Sequence, residues 1–310
     1  MDNLTHTLTG MVLARSGLSQ RFGRGTTLLL ALASNVPDVD AVLTFGGRRF
    51  APSRRTLTHS VVGVPILALL LAWAMGRACP DMPFRTRFGL SLIGAGIHVF
   101  MDVLNSYGVE LLYPMSSARY ELAWTFIIDL AMWAILLAPF VLGMTPARAL
   151  GMARLYRASA VALAAYIALC GVSHARARTL LARTVREEGL EPDFTYVFPE
   201  ALGPHRWRGV TREGSEYRTW LIHAWGGVVE PVATAHTDKD LPEVRAVRER
   251  PEAQRIERFF KAPAWRLLPD SGMAEVTDLR FGSAVLKGRG DAFKYAFPID
   301  VRSSSPTGAP

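Results

Sequence analysis

Long apolar stretches alternate with short arginine-bearing ones through the first 173 residues, and this rhythm stops afterwards. Runs 61–78, 88–104 and 122–144 are long enough, or nearly so, to cross a hydrocarbon layer of about 30 Å, which takes roughly 20 helical residues. A fourth run, 155–173, carries Arg157 and is rich in alanine, which makes it a weaker span. Residues 4–18 and 26–36 are apolar but short, and Arg15, Arg21, Gly23, Arg24 and Gly25 fall between or beside them. They predict a helical hairpin embedded in the membrane or re-entering it. Its second helix should stop near Val36, because Pro37 lacks the next backbone donor and disfavours helix in the residue before it.

From about residue 174 the pattern changes. Arg176 to Arg186, followed by Glu187 and Glu188, reads as a polar helical exit. Tyr217 to Trp225 is rich in aromatic and branched residues and predicts a strand. Residues 251–262 open on a proline and place Ile256, Phe259 and Phe260 on one face, predicting a short amphipathic helix. Residues 274–281 and 292–301 read as further strands. The expected architecture is a polytopic α-helical membrane domain over 1–173, with about four to six helices, the first two either full passes or re-entrant. A small soluble α+β domain over 174–300 and a frayed tail over 301–310 should follow. No internal repeat is visible.

Composition sharpens this division. Half of the 310 residues are hydrophobic and 20% are charged, which excludes a disordered chain. Residues 1–173 hold 14 arginines, no lysine and 8 acids, whereas residues 174–310 hold 21 basic and 19 acidic residues. Of the net charge of +8, +6 therefore lies in the apolar part. No basic stretch is interleaved with stacking aromatics, so direct nucleic-acid binding is not expected. The arginines read as membrane-edge charges and the bilayer as the partner, but with six passes nine would lie on each side, so they do not choose an orientation. Cys79 and Cys170 form neither a metal-type pair nor a disulfide framework. Asp2 precedes any basic residue, which is unlike a secretory signal.

In so apolar a setting each ionisable group is informative, because such groups are costly at membrane depth. The first 173 residues contain three histidines, His6, His59 and His98, and four acids in or against apolar runs: Asp38, Asp40, Asp102 and Asp129. If the runs cross in turn, all seven approach one membrane face. His98 and Asp102 are spaced i and i+4 and share a helix face, while Asp38 and Asp40 are two apart after a proline. His59 lies between Thr58 and Ser60, whose hydroxyls could cap a helix or orient the imidazole. A His and carboxylate set without thiolates suits a divalent metal, Zn or Mn first and Fe or Mg next. Seven candidates exceed the needs of one catalytic zinc, so one or two ions are expected. The bland alternatives are that Asp102 merely bonds His98 and that Asp38 and Asp40 merely open a turn. An unpaired Asp129 among Ile127, Ile128, Leu130 and Ala131 is hardest to explain that way. His205, His223 and His236 have no ligand-like spacing.

The segments Met1–His6, Ala33–Asp40, Arg55–Ser60 and His98–Asp102 together resemble the membrane-bound metal-dependent hydrolase family, also called domain of unknown function 457 or LexA-binding inner-membrane-associated hydrolases. Asn105–Gly108, Pro114, Trp124–Asp129 and Asp278–Phe281 continue the pattern. The resemblance is strong over about residues 1–145 and implies an integral protein of the bacterial inner membrane. One departure stands out: the family places a His-Arg pair before the Thr-His-Ser, and here its first slot is Arg54.

The expected activity is hydrolysis by metal-activated water of an ester or phosphoester, such as a lipid. Asp38, Asp40 or Asp129 would supply the general base wherever they are not ligands, and Arg54 and Arg55 would hold an anionic group. Competing readings are an ion-coupled transporter or channel that uses intramembrane Asp and His, and a non-catalytic membrane scaffold.

Overall fold

The computed structural model describes residues 1–23, 25–43, 54–201, 203–281 and 293–299. The tail over 301–310 and the ends of the strand expected over 292–301 lie outside the described residues. The chain divides into two compact units, the first comprising 1–175 with 201–205 and the second the remainder.

The first unit is helical. Helix α1 (Asn3–Leu13) starts where the Asp2 carboxylate accepts from Thr5 N at 3.0 Å, satisfying a donor that has no partner within the helix. It runs into a π-helical stretch, Ala14–Leu18, which Gly17 kinks at a φ of 147°. Helix α2 (Gly25–Ala33) follows, and Pro37 opens a single 3-10 turn, Val36–Asp38, so the helix ends slightly before the expected Val36. Helix α3 (Gly63–Ala74) has 12 residues, about 18 Å of rise, shorter than the apolar run over 61–78 suggested. Helix α4 (Phe84–Leu104) is a candidate membrane span of 21 residues. Helix α5 (Leu130–Leu142) covers only the second part of the run 122–144, because Asp129 caps it and the residues before it are extended or turning. Helix α6 (Met152–Glu187) reverses the sequence-based ranking. The alanine-rich run expected to be the weakest span becomes a 36-residue helix and the second candidate span. Alanine has the highest helix propensity, and no proline interrupts the helix.

Two glycines set the distances on which the site depends. A Cβ at Gly10 of α1 would meet Leu30 O of α2 at 2.5 Å, and one at Gly94 of α4 would meet Ala33 Cβ at 2.6 Å. Helix α2 is therefore clasped closely from two sides, and Gly94 lies one turn before His98. Met1, Leu8, Val12, Met101, Leu104, Met132 and Leu136 belong to one apolar cluster that joins α1, α4 and α5.

The second unit contains two antiparallel meanders. Strands β1 (Phe194–Pro199), β2 (Arg206–Glu213), β3 (Glu216–His223) and β4 (Val228–His236) make a four-stranded sheet in chain order. Ala177, Leu181 and Val185 of α6 pack on its Trp207, Trp220 and Ile222. Short helices α7 (Pro242–Arg248) and α8 (Pro251–Phe259) lead into a three-stranded sheet of β5 (Pro263–Leu268), β6 (Met273–Asp278) and β7 (Lys294–Pro298). The strand at 217–225 and the amphipathic helix at 251–262 correspond to β3 and α8.

Candidate metal centre

Four side chains from three elements converge. His98 and Asp102 project from one face of α4, a turn apart. Asp38 ends the 3-10 turn that follows Pro37, and His59 ends another, Leu57–His59. All four are buried, and one ligand atom from each lies within 4.8 Å of all the others. His59 Nε2 is 3.2 Å from His98 Nε2, 3.3 Å from Asp102 Oδ2 and 3.6 Å from Asp38 Oδ1. His98 Nε2 is 3.6 Å from Asp102 Oδ2 and 4.0 Å from Asp38 Oδ1. A tetrahedral ion with bonds of about 2.0–2.1 Å would hold its ligands about 3.3 Å apart, so the set fits such an ion with little movement.

Hydrogen bonds on the far side of each ring fix which nitrogen faces inward. His98 Nδ1 lies 2.8 Å from Ser34 O. A carbonyl only accepts, so Nδ1 carries the proton and neutral His98 turns the Nε2 lone pair to the centre. Thr58 Oγ1 donates to Asp40 Oδ2 at 3.3 Å and is 2.9 Å from His59 Nδ1. With its own proton directed to Asp40, this hydroxyl accepts from Nδ1, so a neutral His59 would likewise present a bare Nε2. Two imidazole lone pairs 3.2 Å apart repel each other unless a cation lies between them. Asp102 Oδ2, itself fully buried, faces the same point, with Arg55 Nε 2.8 Å away as its counter-charge. The donor set could therefore hold a metal ion.

Around this set lie groups that position it. Asp40 is outside the four, and its Oδ2 also accepts from Arg55 N at 2.9 Å. His6 stacks on His98 with ring centres 3.8 Å apart, and its Nε2 lies 3.3 Å from Asp102 Oδ1. The Met1 amine also reaches Asp102 Oδ1. Arg54 Nη2 donates to Asp38 Oδ1 at 2.6 Å, with its Nε 3.4 Å from Asp40 Oδ1. Arg55 spans both Asp102 oxygens at 2.8 and 2.9 Å, donates to Asn105 Oδ1 at 3.1 Å and lies over the Tyr107 ring. Its backbone is left-handed, with a φ of 59°, a strained conformation held by the bonds on either side of it. Both arginines thus engage the site's own carboxylates, where the sequence suggested an open clamp for an anion.

Asp129 has a different role from the one its isolation suggested. Its Oδ1 accepts from Ala131 N and Met132 N at the start of α5, and its Oδ2 accepts from Tyr166 OH at 2.8 Å. It is a helix cap outside the four-residue set, and the cap resolves its cost at membrane depth. Three contributors went unseen in the sequence. Asn105 could have been found, because it lies on α4's exit near Asp102, but the Ser34 carbonyl and the Met1 amine are backbone groups with no side-chain signature.

Residues 1–177 match the family model described as YdjM inner membrane protein. The Bacillus subtilis (strain 168) "Uncharacterized protein YfhP" is 25% identical over 124 residues, covering 37% of this chain and 38% of that protein's length. No solved structure matches the chain.

Proposed function

Because the chain belongs to the YdjM family of inner membrane proteins, we propose that its buried cluster is the centre of a membrane-embedded metal-dependent hydrolase. The observation that carries this reading is the convergence of two Nε2 lone pairs and two carboxylates on one point. Asp38, His59, His98 and Asp102 would hold a single divalent ion, zinc or manganese. Such an ion supplies water of lowered pKa, usable as hydroxide near neutral pH.

The chain's own groups do the rest. Arg55 restrains both Asp102 oxygens, and the Asp40–Thr58 pair holds His59 in the ligating tautomer. Arg54 is the more exposed arginine, with a side chain 21% accessible against 6% for Arg55. In this reading Arg54, alongside its bond to Asp38, would also receive an anionic substrate group, and an ester or phosphoester of a membrane lipid meets that requirement. In this reading Asp40, outside the ligand set, would serve as the proton acceptor. In the same reading α3 and α5, with their non-helical flanks, join α4 and α6 as membrane passes, and α1 with α2 forms a re-entrant pair.

Protein reconstituted in lipid nanodiscs, stripped of metal and reloaded, should hydrolyse a fluorogenic phospholipid or bis-aryl phosphate only in the loaded state. Arg54→Gln should raise KM for the anionic substrate more than it lowers kcat. Turnover that survives chelation and the His59→Ala substitution, or metal-independent cation flux without turnover, would replace the hydrolase reading with another.

A further inference from the structure

Helix α6 carries an apolar stripe that ends on a cation. Val161, Ala165, Leu169 and Val172 follow one another at helical spacing on one exposed face, and the next member of the stripe is Arg176. Val161 and Val172 are 70% and 60% accessible, a state that suits lipid better than water. Arg176 opens the second unit and follows Ala175 along the same unbroken helix. Its Nε donates to Ala224 O at 2.5 Å, and its guanidinium lies 5.7 Å from the centre of the Trp225 indole.

Ala224 to Gly227 form the tip of the β3–β4 hairpin, closed by Gly227 N donating to His223 O at 2.9 Å. A positive φ of 71° at Gly227 makes this tight reversal possible. Trp225 is 48% accessible and Val228 45%, so the tip presents apolar side chains outward although the neighbouring Ala224 is buried. Tryptophan and arginine at the end of an apolar helix are the residues that settle at the level of lipid headgroups.

We infer that the β3–β4 hairpin tip, through Trp225 and Val228, is a membrane-surface contact whose partner is the headgroup layer where α6 emerges. Arg176 fixes the indole at that level and contributes charge complementary to anionic lipid, with Arg178 exposed nearby on the helix. This inference is independent of any hydrolytic activity.

The test uses the full chain in liposomes that contain anionic lipid. Val228→Cys is labelled with an environment-sensitive NBD probe, with Glu252→Cys on α8 as the comparison. Native Cys79 and Cys170 are buried, and the unsubstituted protein serves as the labelling blank. Lipids carrying a nitroxide near the headgroup should quench the probe at 228 several-fold more than that at 252, and adding Trp225→Ser should lower the difference. Equal quenching at the two positions would overturn the inference. So would a blue-shifted probe at 228 that nitroxide lipid leaves unquenched, since that result means contact with protein, such as a second copy.

Discussion

Asp102→Ala is expected to abolish metal uptake at the proposed centre and to lower stability, the largest single effect expected in the first unit. Asp102 is fully buried, contributes one of the four converging ligand atoms and holds the Arg55 guanidinium through both oxygens. Loss of an outer partner of a ligand typically costs about 10–100-fold in metal affinity, and loss of a ligand costs more. The vacated carboxylate also strands a buried arginine, and breaking a buried pair from one side costs about 3–5 kcal/mol. Adding Arg55→Met separates the two effects. The double variant should regain much of the lost thermal stability while its metal content, measured by mass spectrometry, stays near zero. Asp129→Ala is the control: it removes a helix cap, worth about 0.5–2 kcal/mol, and leaves the metal in place.

The second large effect lies in the other unit, where Asp278→Ala should unfold the three-stranded sheet. Asp278 is wholly buried at the end of β6, and its Oδ1 accepts from Ala262 N and Arg280 N at 3.2 and 3.0 Å. Its Oδ2 accepts from Lys261 N and from Arg280 Nε at 3.2 and 3.0 Å. Arg280 then donates to Phe259 O at 2.8 Å, and its guanidinium lies 4.8 and 4.4 Å from the centres of the Phe259 and Phe281 rings. One carboxylate therefore joins α8, the turn after it and β6. Its removal leaves a buried guanidinium and several donors unpaired, about 3–5 kcal/mol, which is a large share of a domain's usual 5–15 kcal/mol. Thermal unfolding followed by β-sheet circular dichroism should show the loss, with Asp278→Asn intermediate. A shift no larger than that of a surface substitution would mean the network is dispensable. The Asp278–Phe281 segment thus has a structural reason that its sequence alone did not disclose.

What was legible in the sequence is what local spacing can encode. The i, i+4 spacing placed His98 and Asp102 on one helix face, and Pro37 located the turn that delivers Asp38. Scarcity of charge made the histidines and acids of the first unit conspicuous. Scarcity does not distinguish a ligand from a cap, however, and Asp129 is a cap because it happens to precede α5. The arginines at 54 and 55 looked like a clamp for substrate, whereas long-range placement sets both against carboxylates from distant segments. Span lengths were misjudged for a similar reason. Hydropathy reports what lipid tolerates, but helix length depends on caps and turns, which shortened α3 and α5 and let α6 run on.

In the second unit the hidden strands have mixed patterns. β2 carries arginines among its apolar residues, and Arg208 is buried because Glu200 pairs with it at 2.6 Å. β4 contains Pro231 and is largely exposed, as an edge strand permits. Neither shows the run of aromatic and branched residues by which β3 could be recognised.

X-ray absorption at the metal edge of the full-length protein, purified without added chelator, addresses the central claim most directly. The proposed centre predicts about one ion per chain, a first shell of nitrogen and oxygen at about 2.0–2.1 Å, and outer-shell scattering from two imidazoles that weakens in His59→Ala, where His98 alone is left to supply it. A sulfur shell, a spectrum without imidazole scattering, or a chain that takes up no divalent metal would contradict it.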